Sequence, residues 1–191
     1  MCHQKSVCNM MRILPALLLL SCASAGASQQ EQLQREARAL VQQFAGELKP
    51  LLQQALREGG PTRAIAVCST AAPTIADSLS YNSGWLVRRV SLQQRNASRA
   101  VPDKWERAVL EQFDARQAAG EQPMDLHVGD VQGVRYRYMQ AQGVEAICLT
   151  CHGENLAQPV TEALQLYYPD DMATGYQLGQ VRGAISLSRE M

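Results

Sequence analysis

The chain has no excess of charge of either sign, few aromatics and almost no histidine. Its 191 residues hold 18 Lys/Arg against 18 Asp/Glu, two Phe, two Trp and three His. Balanced charge excludes the electrostatic footprint of a nucleic-acid binder. There is no nucleophile elbow, no phosphate-cradling glycine loop and no constellation of paired carboxylates. Hydrolase or kinase chemistry therefore has no residues to carry it, and the chain is not expected to be an enzyme of those kinds. The apolar run from Ile13 to Leu20 is too short to span a bilayer.

Against these absences stands one string, Cys148-Leu149-Thr150-Cys151-His152. It has the CxxCH form that attaches c-type haem, two thiols for the vinyl groups and an imidazole for the iron. Six Cys and three His would place such a string by chance about 0.003 times per chain of this length. A thioredoxin-type pair belongs early in its domain, at a helix start after a strand, whereas this motif comes late. A zinc site needs four ligands, and past the leading segment only Cys68 and His127 remain to join the motif. One covalently attached haem c is the expected cofactor, with Cys148 and Cys151 as thioethers and His152 on iron.

Residues 1–27 read as an export signal: Lys5 and Arg12 precede the apolar run, and Ala23-Ser24-Ala25 offers an A-x-A cleavage site. Leu19-Leu20-Ser21-Cys22 approximates a lipoprotein box, so a lipid anchor on Cys22 is the one membrane attachment foreseen. Starts at Met10 or Met11 would give a tidier signal. The expected compartment is the periplasm. Without the signal, 16 Lys/Arg face 18 Asp/Glu, a net charge of −2 on 164 residues, enough chain for one domain. It also contains a single cysteine outside the motif, Cys68. Two readings stand for it, a buried structural thiol or a thiolate ligand on the iron face opposite His152.

Apolar residues from Leu33 to Leu56 recur at three- and four-residue spacing, predicting an amphipathic helix over residues 28–60 that Gly59-Gly60 stop and Pro50 kinks. A helix of this length can pair with a copy of itself, giving a homodimer. Residues 61–191 form the second unit. The segment from Thr62 to Ser80 is helical in pattern, with a break expected at Pro73. Strands are predicted at Trp85–Ser91, at Val134–Met139 with one buried face, and at Val181–Leu187, where Val181, Gly183, Ile185 and Leu187 face one way. A helix opens at Pro102-Asp103-Lys104-Trp105. The sum is an α+β domain with an antiparallel sheet. An ordinary small cytochrome c is all helical, with CxxCH near its start, and a four-helix cytochrome would need helix on both sides of the motif.

The chain resembles the PAS-like haem c domains, long classed as a domain of unknown function, found as exported single domains and as sensor halves of bacterial histidine kinases. The resemblance runs from about Gly60 to Arg189. It rests on Ala66-Val67-Cys68 with Ala72-Pro73, Gly84 to Ser91 leading to Arg95-Asn96, Pro102 to Glu106, CxxCH-Gly153, and Gly183-Ala184-Ile185-Ser186. It implies a PAS-like antiparallel sheet flanked by helices, and Cys68 as the second axial ligand beside His152. Ala97-Ser98-Arg99 departs from the family, which tends to place Pro and Asn after Arg-Asn.

Arg88, Arg89 and above all Arg95 are candidates to pair with haem propionates, because guanidinium forks match carboxylates. Asn96 is a candidate in the same loop, either contacting a propionate or capping the turn. Met172 and His127 are alternative ligands; Trp85 and Tyr136 read as core. The expected function is a redox or small-gas sensor in which Cys68 holds ferric iron and loosens on reduction, passing a signal to a redox or signalling protein partner. Its alternatives are a monohaem electron-transfer protein and, third, a peroxidase-like enzyme, which would need an open iron position.

Overall fold

The structure, a computed structural model, describes Met1 and residues 20–191, with side chains from Gln29 onward. Residues 2–19, most of the expected export signal, and the anchor side chain of Cys22 lie outside the described residues. No described helix is long and apolar enough to cross a membrane.

The first element, α1 (Leu20–Ser83), is two helical arms, residues 20–58 and 61–83, that meet at Gly59 (φ −157°, ψ 21°) and Gly60 (φ 67°, ψ −164°). Gly60 takes a conformation that side-chain-bearing residues avoid, and Pro61 follows at a first-turn position where its missing N–H costs nothing. Gly59-Gly60 thus end the first helix where the sequence predicts. The break expected at Pro73 does not form, since the backbone there keeps helical dihedrals, as it does at Pro50. An internal proline costs about 3 kcal/mol. Beyond Pro73, Ile75 and Leu79 are buried against the sheet, each stabilising by about 1.5–3 kcal/mol, and this outweighs the local preference.

Four strands form one antiparallel sheet in the order β1-β4-β3-β2: β1 (Leu86–Val90), β2 (His127–Gln132), β3 (Arg135–Gly143) and β4 (Val181–Glu190). The α1 face of the sheet presents Val87, Tyr136, Tyr138, Ile185 and Leu187 to Leu33, Ala37 and Phe44 of the first arm and to Ala72 through Leu79 of the second. The two arms therefore share one core, and the first arm is no separate appendage. On the other face, α2 (Lys104–Ala118) sets Val109, Leu110 and Phe113 against Val90, Met139, Ala141 and Ala184. This corrects the expectation of one buried face for β3, because helices cover both sides. Helix α2 begins as the sequence implies: the Asp103 carboxylate accepts from the Glu106 N–H at 2.9 Å, and the Glu106 carboxylate accepts from the Asp103 N–H at 2.8 Å.

Strand β2 was not foreseen. Gly129 and Asp130 are poor strand formers, yet Gly129 suits its place because a Cβ there would strike the Tyr136 hydroxyl. In β4 the expected alternation fails at its start. Gln142 pairs with Gly183 but Gly143 with Val181, a bulge that leaves Arg182 unpaired and turns Val181 toward α2 beside Ala184. Gly183 has φ 156°, and a Cβ there would lie 2.5 Å from the Val90 carbonyl oxygen. The chain after β3 passes through a 3-10 turn (Ala146–Cys148) into the short helix α3 (Leu149–His152). Helix α4 (Gln158–Tyr167) then packs Val160, Ala163 and Leu164 on Ile65 of the second arm.

Candidate cofactor site

Between the arms of α1 and one end of the sheet lies a cavity of about 930 Å³, a size suited to a cofactor. Cys68 enters it from the second arm, Cys148, Cys151 and His152 from the turn and helix α3, Arg89 from β1 and Arg182 from the β4 bulge. Phe44, Leu48, Leu52 and Ile65 supply an apolar wall. The spacing of Cys148 and Cys151, three residues apart in helical backbone, puts both thiols on one side of the chain. Among the described residues, none of these three cysteines forms a disulfide.

His152 is held from behind. Its Nδ1 lies 2.7 Å from the Ala173 carbonyl, which can only accept, so Nδ1 carries the proton and Nε2 keeps its lone pair. The His152 carbonyl accepts from the Tyr176 N–H at 2.9 Å, and the Gly153 carbonyl from the Gly175 N–H at 3.0 Å, which binds the loop after α4 to the motif. Burial, with Arg182 and Arg95 adding to it, holds the imidazole pKa well below its usual value. A neutral ring with Nδ1–H given to a carbonyl is the form that ligates a metal. Burial also raises the Cys68 thiol, against the opposing pull of Arg89, Arg95 and Arg182.

Arg95 does not face the cavity as a free fork. It binds Asp171 through Nε at 3.1 Å and Nη2 at 3.0 Å, and Nη2 also reaches the carbonyls of Cys151 at 2.5 Å and Ala173 at 3.1 Å. Arg88 projects from the α2 side of β1, where it donates to the Val101 carbonyl at 3.0 Å and lies 3.7 Å from Glu106. Of the proposed propionate arginines, Arg89 alone has no carboxylate beside it; it touches Gln142 at 3.3 Å and the Phe44 ring at 5.7 Å. Asn96 closes its own loop: its carbonyl accepts from the Arg99 and Ala100 N–H groups and its side chain from Ser98.

The alternative ligands lie elsewhere. Met172 is 59% exposed, and His127 sits on β2, bonded to Arg38 and to the Asp125 carbonyl. Trp85 and Tyr136 are core residues in edge-to-face contact at 6.1 Å. Among the described residues no cluster of three or more His, Cys, Asp or Glu is arranged to hold a bare metal ion. Arg182 was missed by the sequence reading. Its Nε lies 3.1 Å from His152 Nε2, and burial, then Arg89 and Arg95, push its pKa down to about 9. The remaining charged groups at the cavity are paired, Lys49 with Glu145 at 2.5 Å and Arg99 with Asp77. Two thiols, a neutral imidazole, a third thiol and an apolar wall around one cavity fit the group that CxxCH calls for.

Fold and site together define an α+β protein in which a four-stranded antiparallel sheet, helix-covered on both faces, frames a cavity lined by three thiols and a histidine. The chain belongs to the Tll0287-like family, whose model, described as Tll0287, matches residues 25–189. The match takes in the first arm of α1, which the motif-based span from Gly60 left out. Among solved structures, the chain is similar to the cyanobacterial heme-protein Tll0287, with a TM-score of 0.65 and 26% identity over 84% of this chain and 96% of that one. No curated protein matches it.

Proposed function

We propose that this chain is a periplasmic haem-binding protein that carries one haem c and acts as a redox or small-gas sensor. In this reading Cys148 and Cys151 would hold the haem by thioether bonds, and His152 and Cys68 would supply the ligands of its iron. The observation that carries it is the convergence of the CxxCH helix and the thiol of Cys68 on one cavity. Membership of a family that includes a solved heme-protein supports it. Bound haem supplies a one-electron iron couple whose potential the axial ligands set.

His152 presents Nε2 because Ala173 holds Nδ1. As a ligand, Cys68 would supply a thiolate that favours ferric iron; unbound, its buried Sγ favours the protonated form. The sensor reading rests on where Cys68 is mounted. It lies on the second arm of α1, just past the Gly59-Gly60 bend, so movement at Sγ is transmitted to the element that crosses the sheet and on to a protein partner.

Electron paramagnetic resonance of the ferric protein and of Cys68→Ser tests the ligand pair. A low-spin thiolate signal lost in the variant is expected; an identical spectrum returns Cys68 to a packing role. Haem staining on a denaturing gel should be lost in the double variant Cys148→Ser/Cys151→Ser. Coordination that stays the same in ferrous and ferric protein would favour an electron carrier over a sensor.

A further inference from the structure

We propose that Arg89 and Arg182, and not Arg95 or Arg88, are the pair that binds the two haem propionates. The assignment rests on the haem reading above and concerns which end of the cavity receives the anionic edge of the ligand.

Charge balance around the cavity singles the two residues out. Every other charged side chain at its wall stands beside an opposite charge, Arg95 most completely, with Asp171 gripped by two of its nitrogens. Arg89 and Arg182 have no carboxylate partner among the described residues. Arg89 has only the Gln142 amide oxygen and the face of Phe44. Arg182 has the His152 ring, a contact it must give up when Nε2 binds iron. Two unpaired guanidiniums, both half-buried at the cavity wall, are costly unless an anion joins them. A haem brings two carboxylates, which matches the two forks in number and in geometry.

The fold explains why these residues meet. Arg89 lies on β1 and Arg182 on the adjacent strand β4, next to the stretch of β3 that carries Gln142. Regular alternation would not bring Arg182 into this cluster; the bulge between Gln142 and Gly143 does, and Gly183 permits it by letting β4 approach the Val90 carbonyl.

The test uses the exported, haem-loaded protein and its variants Arg89→Gln, Arg182→Gln, Arg89→Lys, Arg182→Lys and Arg95→Gln. Resonance Raman reads the propionate bending bands, and potentiometry reads the midpoint potential. Both Gln variants at positions 89 and 182 should keep covalent haem, displace a propionate band and shift the potential downward, because an unpaired propionate favours ferric iron. The Lys variants should recover most of the potential while the band stays displaced, since charge returns without the fork. Bands unmoved in both Gln variants, or moved only in Arg95→Gln, would overturn the assignment. So would Lys variants that match the Gln variants in potential. A wild-type protein without covalent haem would overturn the haem reading together with it.

Discussion

Arg95 grips Asp171 with two nitrogens, at 3.1 and 3.0 Å, while the same guanidinium reaches the Cys151 carbonyl at 2.5 Å. One buried ion pair thereby ties together the loop between β1 and α2, the CxxCH helix and the loop after α4. Asp171 reinforces the tie by accepting from the Ala173 N–H at 2.9 Å, and Ala173 in turn orients His152.

Both side chains of this pair are about nine-tenths buried, at 10% and 8% exposure. Removing one partner of a buried pair typically costs 3–5 kcal/mol, since the other charge is left without compensation. Asp171→Asn is expected to lower unfolding stability by about 3 kcal/mol, read as a drop in the urea midpoint at unchanged slope. A drop under about 1 kcal/mol would mean that the clamp is exposed to water in solution.

Phe44 is 1% exposed and belongs to the same core cluster as Leu79 and Tyr138. Phe44→Ala should cost about 3–5 kcal/mol and move a single unfolding transition seen by both near- and far-ultraviolet circular dichroism. Two separate transitions would show that the first arm of α1 unfolds independently of the sheet.

Gly183 has φ 156° and leaves no room for a Cβ beside the Val90 carbonyl. Gly183→Ala is expected to destabilise the fold by more than about 1 kcal/mol. Because the bulge aims Arg182, the same variant should also disturb the haem absorption spectrum, whereas Gly133→Ala in the β2–β3 turn, at φ 63° with open space around it, should lower stability and leave the spectrum unchanged.

Burial pushes the Asp103 carboxyl up, but hydrogen bonds from the Glu106 N–H and from Arg137 outweigh it and hold its pKa below the usual value. A carboxyl depressed in the folded state contributes stability above its unfolded pKa of about 3.9 and loses it as the pH falls through the folded value. Asp103→Ala should therefore cost about 1 kcal/mol at pH 7, the usual worth of an N-cap. The gap between variant and parent should narrow as the pH drops below about 4. Chemical denaturation at a series of pH values checks this; a gap that widened in acid would contradict the sign.

Much of this protein was legible along the chain because it is local. Hydrophobic spacing marked the first arm, Gly59-Gly60 marked its end, Pro102-Asp103-Lys104-Trp105 announced α2, and CxxCH named its own chemistry. These signals depend on residues a few positions apart, where propensity, capping and turn geometry act directly. What the chain did not reveal is long-range. Pro73 reads as a helix break until the burial of Ile75 and Leu79 is counted, and that burial exists only against the sheet. Strand β2 has a weak pattern of its own and forms through its register with β3. Arg95 resembled a free anion receptor because its partner, Asp171, is distant in sequence; Arg182 was passed over because the bulge that turns it arises from pairing between β3 and β4. Sequence alone determined which chemical groups the protein has, where the first arm of α1 ends and where α2 begins. The tertiary structure decided which of those groups meet, since charge pairing and strand register are properties of neighbours brought together by folding.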